Sequence, residues 1–147
     1  MTSLSACAPK VQGEVMDTGA VAGVSVYATL KSSGPLHNGD NPVSISVVNG
    51  TARRLDLAYS KCDSFGYTIV QGTSEAVFTS PGPDLVCPTV PDDQFSIAPG
   101  SRQRIGSASI RIPQLPRGKY VVASTLRVGT ERQPLMLPIN TFRFEIR

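Results

Sequence analysis

Two cysteines, Cys62 and Cys87, bracket the part of the chain that most restricts its fold. On either side apolar residues alternate with polar ones, and turns separate the alternating runs: Ala98-Pro99-Gly100 ahead of one, Leu115-Pro116-Arg117-Gly118 ahead of another. Alternation at period two lays one face of a strand against a core. A covalent link between strands separated by such turns is the frame of a stapled β-sandwich. Composition agrees, because the 13 glycines and 12 prolines interrupt helices and mark turns. At 147 residues the chain suits one domain. No run approaches the roughly 18 apolar residues that a membrane-spanning helix needs.

Near the start, Leu4-Ser5-Ala6-Cys7 resembles a bacterial lipobox, the end of a signal peptide whose cysteine is lipidated and becomes the new N-terminus. The resemblance implies an exported protein anchored to the membrane by lipid at Cys7. Residues 8–22 show neither helical nor strand period and read as a flexible tether, so the expected division is 1–22 leader and tether, 23–147 folded domain. Lipid on Cys7 leaves Cys62 and Cys87 as a pair, which would stabilise the fold by roughly 3–4 kcal/mol on the chain-entropy estimate. Two buried free thiols or a metal site are the alternatives. With His37 the sole histidine and no Cys-x-x-Cys, zinc lacks its four ligands. The paired reading implies an oxidising compartment.

Strand character begins at Val24, where Val24, Val26, Ala28 and Leu30 alternate with polar neighbours. Residues 32–41 read as a turn-rich break. Val43, Ile45 and Val47 then share a face, Asn49-Gly50 turns, and Leu55, Leu57 and Tyr59 resume, through either a hairpin or a connection that crosses between sheets. Phe65, Tyr67 and Ile69 follow, with a short strand at 76–79. Four prolines between Ser80 and Gln94 exclude a central strand and make this the longest loop. Phe95 and Ile97 lead to a strand over 104–113, another at 120–127, and a last one carrying Phe142, Phe144 and Ile146. Seven to eight short strands and no helix predict an all-β, two-sheet antiparallel sandwich of immunoglobulin-like type.

The segments NPVSISVVNGT, LDLAYSKCDSFGYTIV, FSIAPGS and LPRGKYVVASTL together resemble the BsuPI-like, intracellular proteinase inhibitor type of bacterial domain. The resemblance spans residues 41–126 and implies the immunoglobulin-like fold and, as a possible activity, proteinase inhibition. Its aromatic-rich strand differs here, reading Lys61-Cys62-Asp63-Ser64-Phe65 and lacking the Trp common in that family, and Ile97 stands in place of a Leu.

Charge is uneven. Residues 1–100 hold five basic and nine acidic side chains, whereas 101–147 hold nine basic and two acidic. Arg102, Arg104, Arg111, Arg117, Lys119, Arg127 and Arg143 therefore form a candidate binding surface for an acidic partner; the plainer reading makes them solvent-facing alternates of the last strands. Nucleic acid is not the expected partner, since there is no Trp, no aromatic-basic string and no helix to enter a groove. Catalysis is not expected either. His37 lies near Asp40, but no Gly-x-Ser-x-Gly elbow supplies a nucleophile. Ser60 and Lys61, as neighbours on a strand, would point to opposite faces. Asp92-Asp93 falls short of a calcium site's six to eight oxygens and reads as loop solubilisation, so neither metal nor cofactor is expected. Two roles remain: a membrane-anchored module of the bacterial cell envelope docking onto a larger envelope protein, or a proteinase inhibitor presenting the loop at 80–94.

Overall fold

The computed structural model describes residues 23–32, 34–72, 75–82, 85–130 and 134–147; Cys7 and the tether lie outside the described residues. The chain is all-β. In order the strands are β1 (Val24–Leu30), β2 (Gly39–Asn49), β3 (Leu55–Tyr59), β4 (Phe65–Gln71), β5 (Glu75–Ser80), β6 (Asp93–Ile97), β7 (Arg102–Ile112), β8 (Gly118–Val128), β9 (Leu135–Pro138) and β10 (Phe142–Ile146). All the strand ladders are antiparallel. One sheet is β1-β2-β7. The other runs β9-β8-β4-β5, with β10 pairing β8 beside β9, and β3 pairs β6 in a short third ladder. This is the expected immunoglobulin-like sandwich, with ten strands among the described residues where seven or eight were expected.

Burial follows the alternation. Val24, Val26 and Ala28 of β1, Val43, Ile45 and Val47 of β2, Ile110 and Ile112 of β7, and Tyr120, Val122 and Leu126 of β8 all turn inward into one core. Each such side chain contributes about 1.5–3 kcal/mol when fully removed from water. The turn at 98–101 closes as expected, with the Ser101 amide donating to the Ala98 carbonyl at 3.0 Å and Gly100 at φ +74°. Tyr120, at the start of β8, donates its hydroxyl to the Pro116 carbonyl at 2.6 Å and stacks on Phe144 with ring centroids 5.3 Å apart. That hydroxyl reaching back over the corner is the tyrosine corner of immunoglobulin-like sandwiches. Tyr67 ties the sheets together: its hydroxyl donates to the Arg111 carbonyl at 3.0 Å and accepts from the Arg111 amide at 2.8 Å.

Three buried asparagines serve as joints. Asn41 donates to the carbonyls of His37, Gly39 and Ile110. Asn140 accepts from the Ala28 amide at 2.7 Å and donates to the Ala28 carbonyl at 3.1 Å, pinning β1 to the β9–β10 junction beside a parallel bridge from Val26 to Ile139. Asn49, at the end of β2, reaches β6 and the approach to β3 together. Buried carbonyls and amides need such partners, and a side-chain amide supplies both donor and acceptor where no strand lies alongside.

Several expectations are corrected. Residues 39–41 belong to β2, not to a turn-rich break, because Gly39 and Asp40 pair with Ile112 and Arg111. The alternation of β7 breaks at a bulge: Ile45 faces Gly106 but Ser46 faces Arg104, so Ile105 is buried along with Ile110 instead of facing out with Ser107. An extra residue in one strand resets its inward face. Of the two courses left open after Asn49, the chain takes the crossing connection, since β3 pairs β6. Gly50 has no positive φ there. It is small because a Cβ would lie 2.9 Å from the Gly23 carbonyl oxygen. Residues 135–138 are a strand that the alternation did not mark.

Ser124 of β8 faces the core, and its hydroxyl has no hydrogen-bond partner among the described residues. A buried hydroxyl without a partner costs about 1–3 kcal/mol. Ser124→Ala is therefore expected to leave stability unchanged or raise it by about 1 kcal/mol, whereas Val122→Ala two positions earlier costs about 2–3 kcal/mol through the cavity it opens. Urea unfolding of the two variants side by side checks this; a Ser124→Ala loss as large as that of Val122→Ala would count against it.

Candidate functional site

β3 ends at Tyr59, and the chain turns back into β4 through residues 60–64. Two serines hold this turn: Ser64 Oγ accepts from the Ser60 amide at 2.9 Å, and Ser60 Oγ accepts from the Cys62 amide at 3.2 Å. Cys62 in the turn is bonded to Cys87, with Cα atoms 5.8 Å apart. That bond brings the proline-rich segment across the end of β3. Among the described residues, the backbone hydrogen bonds inside the segment are local, Leu85 to Gly82 and Val90 to Pro88.

Between turn and segment lies an open cavity of about 550 Å³. Ala58, Tyr59 and Gly129 line it, joined by Lys61, Cys62 and Asp63 from the turn and by Cys87, Pro88, Val90, Pro91, Asp92 and Asp93 from the segment. Arg127 of β8 reaches in and pairs with Asp63 at 2.9 Å, while Lys61 faces Asp93 at 3.8 Å. Both pairs are exposed enough that they position the walls more than they stabilise them. The segment also exposes large apolar side chains to water: Val86 is 86% exposed, Val90, which lines the cavity, 64%, and Leu85 43%.

Tyr59 is fully buried, its ring packed where a Cβ on Gly106 would come within 2.8 Å. Burial first, and the Asp93 carboxylate second, push its phenol above the ordinary value of 10.0. The folded state thus holds this proton more tightly than the unfolded chain. Its contribution to stability is whole below pH 10.0 and is lost as pH rises toward the folded value. Tyr59→Phe is expected to flatten the alkaline fall in unfolding free energy; identical slopes in variant and parent would refute it.

The other residues singled out from the sequence are placed as follows. Ser60 and Lys61 lie in the turn after β3 and not on a strand. Asp93 is not a loop solubiliser: it opens β6, faces Lys61 and acts on Tyr59. The His37 ring contacts the Asn38 carbonyl through Nδ1 at 2.8 Å, and Asp40 pairs with Arg111 at 3.6 Å. Among the described residues no group of three or more His, Cys, Asp or Glu could hold a metal ion. The seven cations do not form one surface. Arg102, Arg104 and Arg111 stand on the outer face of β1-β2-β7, and Arg117 is in the turn before β8. Lys119, Arg127 and Arg143 belong to the opposite sheet, with Lys119 and Arg143 beside a hollow of about 460 Å³ that Gly72, Val121 and Glu145 share. Sequence reasoning reached the loop and its disulfide but missed Tyr59, Asp63 and the cavity. The readable signal was the bare pairing of Leu85-Val86 with Val90 in a segment that otherwise has loop composition.

No family model matches the chain, and no curated protein does. Several solved structures share part of its course, three of them as follows. One is the Pseudomonas fluorescens alkylpurine DNA glycosylase AlkC bound to DNA containing an abasic site analog, with a TM-score of 0.38 and 15% identity over 80% of this chain and 30% of that one. A beta-glucosidase from Kluyveromyces marxianus in complex with glucose gives 0.39 and 11% over 84% of this chain and 14% of that one. The ASH / PapD-like domain 7 of human CEP192 gives 0.34 and 11% over 100% and 99%. The chain spans less than a third of the first two. Likenesses this distant assign no residue a role.

Proposed function

We propose that this is a non-catalytic binding module of the bacterial cell envelope, anchored through lipid at Cys7, which docks onto a larger envelope protein with the disulfide end of the sandwich. The observation that carries the reading is the exposure of three large apolar side chains, Leu85, Val86 and Val90, on a covalently tied segment whose Val90 lines the cavity. Exposed apolar clusters rimmed by charge mark protein contacts. A loop already ordered by a cross-link loses less entropy on binding. The disulfide itself supports an oxidising, non-cytoplasmic location.

A photo-crosslinking residue at Val86 in the full chain, expressed in its own cells, is expected to give one discrete adduct with an envelope protein. The same residue at Arg117, exposed in the turn at the far end of β8 from Arg127, should not. Equal labelling from both positions would overturn the docking face. Weighing the protein intact from its membranes tests the anchor through the added mass of lipid at Cys7.

A second reading, proteinase inhibition, is favoured by one detail: Val86, the most exposed of these side chains, immediately precedes the bridged Cys87. Stoichiometric inhibition of a protease that weakens when both cysteines are replaced would select it over the first.

A further inference from the structure

Away from the cavity, the outer face of β1-β2-β7 carries a row of hydroxyls across the sheet. Thr29, Ser44 and Ser107 are register partners on the three strands. Neighbouring strands lie about 4.8 Å apart, so such a row is a continuous polar shelf. Two cations come over it from opposite directions. Lys31 follows β1 and extends Nζ across β2 to Ser107 Oγ at 2.8 Å. Arg104 leans along β7, its Nη2 donating to the same oxygen at 2.8 Å and its Nε to Ser44 Oγ at 3.4 Å. Among the described residues neither cation is ion-paired: the nearby carboxylate on this face, Asp40, already faces Arg111 further along β7. On the other side Arg102 adds positive charge, lying over the Tyr27 ring at 5.5 Å.

Two like charges converging on one neutral oxygen repel each other. The hydroxyl oxygens of Ser107 and Ser44 act as acceptors here, which leaves both O–H groups to donate outward. An ammonium, a guanidinium fork and two hydroxyl donors directed at one point match a tetrahedral oxyanion, and seating one turns the repulsion into charge-assisted hydrogen bonds. We propose that Lys31, Arg104, Ser107 and Ser44 form a binding site for a phosphate group. The bulge at Ile105 is what swings Arg104 onto this face, since without it the outward position would fall to the isoleucine.

The test is a titration of the full-length protein with inorganic phosphate, followed by NMR, against chloride at matched ionic strength. Saturable shifts confined to the Lys31, Ser44, Arg104 and Ser107 signals, weakened roughly tenfold or more in Lys31→Gln/Arg104→Gln, would support the site. Arg54→Gln, whose side chain pairs with Asp56 elsewhere, should leave the titration unchanged. Flotation with phosphatidylglycerol and phosphatidylcholine vesicles then separates sources. Capture by the former alone, competed by free phosphate, assigns a lipid headgroup, and no capture beside a positive titration assigns a soluble phosphate. Equal shifts with chloride, no saturation, or a double variant that binds as the parent does would overturn the proposal. All four side chains are on the surface, and a thermal melt of each variant checks that the fold is intact.

Discussion

Replacing Cys62 and Cys87 together by serine is expected to lower the unfolding free energy by roughly 3–4 kcal/mol, the largest effect of any change considered for this domain. The bond closes a loop of sequence separation 25, and in the chain-entropy account its removal returns that much freedom to the unfolded chain. Against a total of about 5–15 kcal/mol for a domain, the loss decides whether the fold survives mild denaturant. The native state has little to offset it: the proline-rich segment between β5 and β6 makes local backbone hydrogen bonds among the described residues, and its apolar side chains face water. Urea unfolding of the parent in strong reductant should coincide with that of the double variant. If the parent keeps its midpoint when reduced, the cross-link contributes nothing and the cavity wall must be held by something else.

Asn49→Ala is expected to cost about 3 kcal/mol, second only to the disulfide. The side chain is fully buried at the end of β2. Its amide donates to the carbonyls of Arg53 at 2.7 Å and Ile97 at 2.9 Å, and its carbonyl accepts from the Thr51 amide at 3.0 Å and the Thr51 hydroxyl at 2.6 Å. Deleting it takes this partner from the Ile97 carbonyl and the Thr51 amide, each costing about 1–3 kcal/mol when left without one, while the Thr51 hydroxyl still donates to the Arg53 carbonyl at 2.9 Å. Asn49→Asp keeps the shape but turns a donor into an acceptor facing two carbonyls, so it should destabilise at least as much. Equilibrium unfolding of both variants reads the result, and an aspartate variant as stable as the parent would exclude the hydrogen-bonded joint. Because Asn49 is enclosed in this way, the match of Asn49-Gly50-Thr51 to a glycosylation sequon has no accessible acceptor behind it.

The strand faces were legible where each strand obeyed one period without interruption. Val43, Ile45 and Val47, or Tyr120, Val122 and Leu126, announce their burial because nothing between them slips. Legibility ended where a single residue broke the count: Ile105 is invisible as a core residue until the partner strand shows that two residues oppose one. β9 was missed because Leu135–Pro138 is only four residues long, ends in proline and depends on Arg127, Leu126 and Thr125 for its definition. The candidate site divided in the same way. Cys62 and Cys87 could be paired by counting cysteines. The cavity could not be foreseen, because Tyr59, Asp63, Asp93 and Arg127 come from four segments that only the sandwich brings to one end. Charge was the poorest guide. A basic excess over 101–147 suggested one patch, and alternation distributed it over two opposite sheets.

One consequence concerns β5. Among the described residues it pairs only with β4, so one side of Glu75–Ser80 presents amides and carbonyls to solvent, with Val77 more than one-third uncovered. Copies meeting there could zipper edge to edge, which is how soluble β proteins begin to aggregate. Three gatekeepers stand along it: the carboxylate of Glu75, the register shift opposite Ile69 and Val70, and Pro81, which has no amide hydrogen to offer a newcomer. The margin against self-association in concentrated solution therefore lies in these few residues at the rim, not in the packing of the interior.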